Sequence, residues 1–224
     1  MATTLVRVEP KKSLEDPLSY LPCSSVLAFG KGEIIYSHDQ PHSDLYLVLT
    51  GTVKVTRVSD HGNLLLVDLY GTDEFFGEAS FVNPISASEQ ATAHQHTTLM
   101  AWKASEIEEL IQKRPRLAVA LLQAFGQRSI NLTQRLESLS TDRIDRRLAR
   151  SLLRFAERLG KPLDDGGIQM DPLTHELLAQ YVGTSRELIT CHMTKLRRQG
   201  YLQYSRRSIV LHADALRAMI RENN

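Results

Sequence analysis

A segment of about 25 residues without a helix breaker, Arg116 to Ser140, constrains the fold of this chain most strongly. It contains no proline and a single glycine, Gly126, so it predicts one helix roughly 37 Å long. Apolar side chains recur along it at spacings of three and four residues, which predicts a seam on one helix face. The seam consists of Leu121, Phe125, Leu132, Leu136 and Leu139. A helix this long extends past a domain of about 100 residues and favours a homodimer joined along the seam. Packing of the seam on the chain's own β domain is the alternative.

Short β-rich runs precede this helix and are separated by turn residues. The turns are Gly51, Asp60–Asn63 and Gly71–Asp73. Strands this short, without helices between them, predict an antiparallel barrel or jelly roll. The predicted strands are Glu33–Tyr36, Leu45–Leu49, Thr52–Val58, Leu64–Tyr70, Phe75–Phe76 and Ala91–Trp102. A capping box of Ser105 and Glu108 marks the first helix. We therefore predict a β-roll domain over residues 1–115 and a dimerisation helix over residues 116–140.

Residues 141–224 carry the pattern of a winged helix-turn-helix. The predicted elements are the helices Arg143–Leu159, Thr174–Val182 and Ser185–Gln199 and the strands Tyr201–Tyr204 and Ser208–Leu211. Gly183 and Thr184 form the short turn between the second and third helices. Arg206 and Arg207 stand at the tip of the hairpin. The fold class predicted for the whole chain is α+β, with an N-terminal antiparallel β-roll, a long helix and a C-terminal winged helix-turn-helix.

The charge of the chain is divided unequally between its halves. The formal net charge is only +1, but residues 1–104 carry seven Lys/Arg against twelve Asp/Glu, whereas residues 105–224 carry twenty against fourteen. The basic half suits double-stranded DNA as a partner. Two cysteines, Cys23 and Cys191, do not make a disulfide framework. No apolar run reaches about 18 residues, and Met1–Tyr20 lacks the apolar core of a signal peptide, so we expect a cytoplasmic protein without membrane contact.

The last of the three helices has two chemically distinct faces. Ile189, Met193 and Leu196 lie at spacings of four and three and predict the buried face. The opposite face is short-chained and polar, as a major-groove reader requires. The candidate DNA-contacting residues are Thr184, Ser185, Arg186, Glu187, Thr190, Cys191, Thr194, Arg198, Arg206 and Arg207. Thr184 and Glu187 also form a Thr-x-x-Glu capping pattern, so a capped helix that only faces solvent is the alternative.

Three collinear runs resemble the CRP/FNR family of bacterial transcription regulators. They are LYLVLTGTVKV from Leu45, GTDEFFGE from Gly71 and LTHELLAQYVGTSRELI from Leu173. The likeness extends from about Leu27 to Leu211 and includes the long helix. It implies a sensor β-roll, a dimer-forming helix and a winged helix that binds a two-fold symmetric operator. RNA polymerase is then an expected second partner and activation an expected mode, although the sequence does not separate activators from repressors.

The start of the reading helix departs from the family at one position. In members with this Ser-Arg-Glu start, the resemblance implies that the Arg and Glu read G·C pairs and that an Arg four residues later adds a base contact. Here Arg186 and Glu187 match, but the third position is Cys191, which cannot bind guanine in a bidentate manner. We therefore expect relaxed preference at the base pair that faces Cys191.

The resemblance also gives candidates for an effector pocket. They are Phe76, Gly77, Glu78, Ala79, Gln90 and Ala91 in the β-roll and Arg128 and Asn131 on the long helix. Cyclic-nucleotide-binding members hold the phosphate with an Arg-Ser pair shortly after the Gly-Glu turn. This chain has no Lys or Arg between Arg57 and Lys103 and places Glu89 nearby, so cyclic AMP would be poorly compensated and is not expected.

Other cofactors and activities depend on residues that the chain supplies only in part. An iron–sulfur cluster of the kind found in this family takes four Cys ligands, which two cysteines exclude. His94-x-His96 on a strand would place both rings on one face, so a haem or metal sensor stays open as an alternative, although we assign no metal ligands. Cys23 has no cationic neighbour in sequence to activate its thiol. A cupin-type enzyme gives no reason for the winged helix, and no catalytic residue is assigned. A β-roll that regulates a partner protein, with the C-terminal helices as an interaction module, is a further alternative.

Overall fold

The computed structural model describes residues 14–37, 39, 43–58, 64–82 and 89–222 of the chain. Two features of the sequence, the turn at Asp60–Asn63 and residues 84–88 of the stretch without a cation, lie outside these ranges. Within them, no helix has both the length and the apolar character needed to cross a membrane.

The N-terminal half is an antiparallel β-roll, which confirms the predicted fold class. Its described residues form the strands β1 (Ser25–Phe29), β2 (Ile34–Tyr36), β3 (Asp44–Thr50), β4 (Val53–Val58), β5 (Leu64–Tyr70), β6 (Phe75–Phe76), β7 (Glu89–Ala93) and β8 (Thr97–Lys103). They build two four-stranded sheets in the orders β1-β8-β3-β6 and β2-β7-β4-β5. Neighbouring strands are antiparallel throughout these two sheets.

Aromatic side chains fill the interior of the roll. Tyr46 and Phe76 stack with their ring centroids 5.0 Å apart, and Tyr70 lies 5.5 Å from Phe76. Tyr36 lies 6.0 Å from Tyr46, and all four side chains are buried. Such ring pairs add about 0.5–1.5 kcal/mol each beyond the burial of their apolar area. The packed rings therefore hold the two sheets together from inside.

Six helices and a small sheet make up the rest of the described chain. The helices are α1 (Ala104–Lys113), α2 (Arg116–Thr141), α3 (Ile144–Leu159), α4 (His175–Val182), α5 (Arg186–Arg198) and α6 (Ala213–Glu222). The strands are β9 (Lys161–Pro162), β10 (Ile168–Met170), β11 (Leu202–Tyr204) and β12 (Ile209–Leu211), in the order β11-β12-β10-β9. We call the part from α3 to α6 the winged unit. The long helix runs one residue further than predicted.

The structure corrects the sequence reading at several elements. The predicted strand Ala91–Trp102 is two strands, because the chain bends at residues 94–96 and passes from one sheet to the other. Helix α1 begins before Ser105, and the backbone N–H of Lys103 donates to the Glu106 carboxylate at 3.2 Å. The predicted capping box of Ser105 and Glu108 is therefore wrong. Strands β1, β9 and β10 and helix α6 were not predicted.

A buried ion-pair cluster joins the winged unit to the β-roll. Asp68 of β5 is 2% exposed. Its carboxylate oxygens lie 2.9 Å from Arg158 Nη1 and 3.1 Å from Arg154 Nη2, both from α3. Arg158 Nε also lies 2.6 Å from the Glu74 carboxylate. Charges buried this deeply are tolerated only when each has its partner, so α3 is held in one position on β5.

A third arginine, Arg135 of α2, fastens the long helix to the same place. Its guanidinium donates to the backbone carbonyls of Leu66 and Val67 in β5, at 3.0 and 2.7 Å, and to that of Tyr181 in α4, at 2.8 Å. It also lies 3.9 Å from the centre of the Tyr181 ring. Leu66 and Leu69 of β5 belong to the apolar core of the winged unit. The β-roll, the long helix and the winged unit therefore meet at β5.

Removing the charge of Asp68 tests this junction. Asp68→Asn keeps the size of the side chain but removes the carboxylate that pairs with Arg154 and leaves Arg158 with Glu74 alone, so we expect the free energy of unfolding to fall by roughly 3 kcal/mol. Urea denaturation measures this change. The control is Glu157→Gln in the solvent-exposed pair with Arg217, which should cost at most about 1 kcal/mol. Equal losses for the two variants would mean that the buried cluster does not hold the domains together.

Candidate nucleic-acid interface and effector site

Local capping explains how α4 and α5 are placed. We call these two helices, together with the hairpin of β11 and β12, the reading head. The Thr174 hydroxyl accepts from the N–H of Leu177 at 3.1 Å and starts α4. Gly183 ends it with φ of +72°, a left-handed conformation that favours glycine. The Ser185 hydroxyl then accepts from the N–H of Leu188 at 3.3 Å and starts α5. Thr174, Gly183 and Ser185 thus each stabilise one end of a helix, and together they define the helix-turn-helix.

The faces of α5 are divided as the spacing predicted. Ile189, Met193 and Leu196 are at most 2% exposed. Of the candidate DNA-contacting residues, Ser185, Arg186, Glu187, Thr190, Cys191, Arg198, Arg206 and Arg207 are exposed, and Thr184 and Thr194 are half-buried. The structure therefore leaves a polar face uncovered on α5. Contact of this face with DNA stays a prediction.

Hydrogen bonds within α5 change the expected chemistry of its hydroxyls. The Thr190 hydroxyl donates to the carbonyl of Arg186, and the Thr194 hydroxyl to that of Thr190, both at 2.9 Å. A hydroxyl has a single hydrogen to donate. Thr190 stays a candidate DNA-contacting residue, but in this geometry its hydroxyl oxygen can only accept, so it has no proton to offer a DNA phosphate.

Glu187 faces its own helix start without forming the predicted capping box. Ser185, not Thr184, is the residue that caps α5. Hydrogen bonds from the Glu187 backbone and from the Ser185 hydroxyl lower the pKa of the Glu187 carboxyl, so it is ionised at neutral pH. An ionised carboxylate accepts hydrogen bonds and can read the amino group of cytosine. The capped-helix alternative is thus wrong in its residue pairing, but Glu187 does contribute to the helix start.

The hairpin between β11 and β12 presents the two arginines of the wing. The Ser205 hydroxyl oxygen accepts from the N–H groups of Arg207 and Ser208, at 3.1 and 3.2 Å, and so closes the tip. Arg197 of α5 lies 5.1 Å from the centre of the Tyr204 ring. This contact ties the wing to the reading helix and was not visible in the sequence. The exposed Arg206 and Arg207 add positive charge beside α5, in a position to meet a phosphate backbone.

The effector-pocket candidates are only partly brought together. Arg128 forms an ion pair with Glu78 and lies 4.8 Å from the centre of the Tyr70 ring. Gly77, with φ of +89°, turns the chain between Phe76 and Glu78. Arg128 of the long helix is therefore the cation that pairs with the carboxylate of Glu78 in the Gly-Glu turn.

The other pocket candidates are placed differently. Ala91 is fully buried in the core of the roll, and Ala79 lies in the short 3-10 turn after Gly77. The Gln90 amide donates to the Thr92 hydroxyl at 3.1 Å. The Asn131 side chain accepts from Gln127 on its own helix at 3.5 Å, and its backbone carbonyl accepts from Arg154 of α3 at 3.3 Å. A role for Asn131 in the pocket stays a prediction.

The histidine pair does not have the geometry expected of it. His94 and His96 lie in the bend between β7 and β8, not on a strand. Burial, followed by the nearby charges of Lys54 and Lys31, lowers the pKa of His94. Among the described residues, no group of three or more His, Cys, Asp or Glu side chains is arranged to hold a metal ion. The argument for a haem or metal sensor, which required both rings on one face of a strand, therefore does not hold.

Two of the five predicted seam residues are covered within the chain, and the dimer itself stays a prediction. Leu121 is 5% exposed, and both Leu121 and Phe125 pack against the chain's own β-roll core. These two residues are therefore removed from the seam, and the alternative of packing on the β domain applies to them. Further along α2, Leu136 is 64% and Leu139 39% exposed, because the β-roll no longer covers the helix there.

Comparisons with known proteins agree with this architecture. Residues 26–114 match the family "Cyclic nucleotide-binding domain" and residues 146–219 match the family "Crp-like helix-turn-helix domain". The chain is 30% identical over 166 residues to the transcriptional regulator SdrP of Thermus thermophilus, covering 73% of this chain and 76% of that protein. It is 26% identical over 184 residues to a CRP-like cAMP-activated global transcriptional regulator of Mycobacterium tuberculosis, covering 82% of each.

A solved structure supports the same assignment. The crystal structure of a transcriptional regulator of the CRP/FNR family from Thermus thermophilus aligns with a TM-score of 0.66 and 25% identity, over 88% of this chain and 98% of that one. A β-roll, a long helix and a winged helix-turn-helix in this order define a class of transcription regulators. The chain belongs to the CRP/FNR family of these regulators.

Proposed function

We propose that the chain is a homodimeric, sequence-specific DNA-binding regulator that acts in the cytoplasm and is controlled by an effector other than cyclic AMP. The observation that carries this proposal is the uncovered polar face of α5 beside an arginine-tipped wing. Arg186 can bind guanine in a bidentate manner, and the ionised Glu187 can accept from cytosine. Arg206 and Arg207 supply backbone contacts that do not depend on sequence. RNA polymerase is the further partner that an activator of this family would need.

The operator follows from these residues. A dimer with two copies of α5 would read two half-sites about one helical turn, roughly 34 Å, apart on a two-fold symmetric site. Preference would be strict at the pairs facing Arg186 and Glu187. Cys191 is exposed but offers only a weak donor, so the pair facing it would be read loosely.

The exposed face of α2 supports a dimer with a revised seam. Leu122, Gly126, Ser129, Thr133 and Leu136 recur at spacings of four and three, and all five are exposed. A Cβ atom built on Gly126 would meet nothing within 4 Å, so the helix surface is open there. Small side chains between two leucines let a second helix approach closely, in the register of a coiled coil. A second copy of α2 is the partner that this periodicity fits.

The pair of Arg128 and Glu78 supports an effector other than cyclic AMP. The relative from Mycobacterium tuberculosis is named as cAMP-activated. In this chain the carboxylate of the Gly-Glu turn is already neutralised by a residue of α2. Lys and Arg are absent from the sequence between Arg57 and Lys103, so a cyclic phosphate would meet no local cation that is not already paired.

Operator reading is tested by a selection from random duplexes. Arg186→Ala should weaken binding to the cognate site by roughly 1–3 kcal/mol and relax the motif at one pair of each half-site. Arg207→Ala, the matched control on the wing, should weaken binding to all sequences and lower the salt slope by about one. Cys191→Arg should make the sequence preference stricter at the base pair that the wild type reads loosely. If Arg186→Ala selects the wild-type motif, α5 does not read the operator.

Dimerisation is tested by placing a charge on either side of α2. Leu136→Glu puts a carboxylate in the proposed seam, so we expect it to weaken the dimer by tenfold or more, an effect of about 1.4 kcal/mol or greater. Gln134→Glu adds the same charge about 200° around the helix and should leave association unchanged. Analytical ultracentrifugation measures both. Dimerisation of Leu136→Glu with wild-type affinity would contradict the revised seam.

The nucleotide prediction is tested by calorimetry on the whole protein. Neither cyclic AMP nor cyclic GMP should bind at micromolar concentrations, because the phosphate lacks a cation that is not already paired. Operator affinity measured with and without each nucleotide gives the second readout. Micromolar binding together with a gain in operator affinity would show that another part of the dimer completes a nucleotide site.

A further inference from the structure

His175 stands where three parts of the reading head meet. It is the first residue of α4 and is half-buried. Its Nδ1 lies 2.8 Å from the Thr190 hydroxyl oxygen of α5. Its ring meets the ring of Tyr204 in β11 edge-on, with centroids 5.7 Å apart. One imidazole therefore touches the supporting helix, the reading helix and the wing.

Hydrogen-bond accounting determines which nitrogen of His175 carries the proton. The Thr190 hydroxyl donates its only hydrogen to the Arg186 carbonyl, 2.9 Å away. With that hydrogen committed, the hydroxyl accepts from His175, and on this basis we assign the proton of the neutral ring to Nδ1. In the neutral ring Nε2 is then an acceptor, and it becomes a donor only when the ring takes up a second proton. The hydrogen bonds from His175 to Thr190 and from Thr190 to Arg186 are present whether the ring is neutral or charged.

The charges around His175 keep the ring neutral in the free protein. Burial, and after it the positive charge of Arg186, lowers the pKa of His175 below its usual value. The charged and titratable groups of the elements that contact it are Glu176 and Tyr181 of α4, Tyr204 of β11 and, on α5, Arg186, Glu187, Cys191, His192, Lys195, Arg197 and Arg198. Of these, Arg186 opposes protonation of the ring. A DNA phosphate near Arg186 would reverse this balance, because negative potential favours the charged imidazole.

We propose that His175 is a positioning residue of the DNA interface, which holds the first turn of α5 through Thr190 and takes up a proton when operator DNA binds. The proposal rests on α5 being the reading helix. The direction of the pH dependence follows from the charge of the ring in the free and in the DNA-bound protein. The imidazole is neutral in free protein and is charged against DNA, so binding consumes a proton between the free and bound pKa values. Operator affinity should therefore fall as the pH rises through that window, by at most about tenfold per pH unit for one proton.

The test is calorimetric titration of operator duplex in buffers of different ionisation enthalpy, which counts the protons taken up. The wild type should take up a fraction of a proton per protomer near neutral pH. His175→Asn keeps an N–H close to the position of Nδ1 but does not titrate in this range, so both the proton uptake and the pH dependence of operator affinity should disappear. His192→Asn, at a half-buried histidine elsewhere on α5, is the matched control and should retain the uptake.

Two further variants test the positioning role. Thr190→Val removes the acceptor of His175 and the donor to Arg186, so it should lower operator affinity several-fold. Thr190→Ser should restore the affinity because it restores the hydroxyl. Nitrogen-15 spectra of the free protein should show the His175 ring protonated at Nδ1.

The outcomes separate this proposal from the proposed function. If the wild type selects no operator at all, the proposed function fails before His175 is tested. Selection of an operator, with equal proton uptake by the wild type and His175→Asn, would overturn the role of His175 alone. A neutral ring protonated at Nε2, or Thr190→Val with wild-type affinity, would also overturn it.

Discussion

The buried carboxylate of Asp68 is the constraint on which the arrangement of this regulator depends. A single charge at 2% exposure is stable only because Arg154 and Arg158 approach it from the winged unit. Arg154 depends on this carboxylate for its ion pair, and Arg158 shares it with Glu74. This mutual dependence makes the position of α3 on β5 close to all-or-none, because partial separation would leave charges of both signs without partners in a poorly solvated place. The reading head is thereby oriented by the β-roll.

The long helix connects the effector-site candidates to this junction. Arg128 and Arg135 are seven residues apart, so they lie on nearly the same face of α2. The first binds Glu78 inside the roll, and the second binds the carbonyls of β5 and Tyr181. At the end of the same helix, Leu139 packs 3.3 Å from the position a Cβ would take on Gly183, in the helix-turn-helix turn. Movement of α2 along or about its axis would disturb all three contacts together.

Parts of this architecture that depend on local rules could be predicted from the sequence. Strand β5 was predicted to the residue because turn residues flank it, and α2 to within one residue because Pro115 precedes it. The buried face of α5 followed from its spacing. The dimer seam failed for Leu121 and Phe125 because periodicity gives the direction of a side chain but not its partner. Nothing local shows that the β-roll covers α2 only near its start.

Contacts between residues distant in the chain could not be predicted. From the sequence alone, Arg154 and Arg158 belong to the solvated face of a basic helix and Asp68 to an ordinary strand. Their ion pairs join residues more than eighty positions apart, which no local pattern shows. The bond between His175 and Thr190 depends on the angle between α4 and α5. No pattern in the sequence singles out His175, although it lies within the run that resembles the family.

The occupied carboxylate of Glu78 limits the chemistry by which an effector could act. In the described structure, Arg128 supplies the positive charge that Glu78 requires, and Tyr70 lies against the same guanidinium. A molecule entering here would have to offer Glu78 a donor, offer Arg128 an acceptor, or both, since separating the pair without replacement leaves two poorly solvated charges. Either replacement breaks the direct ion pair between Arg128 and Glu78. Because Arg128 is part of α2, the energy of such binding would act directly on the helix that also carries Arg135, and so on the junction at Asp68.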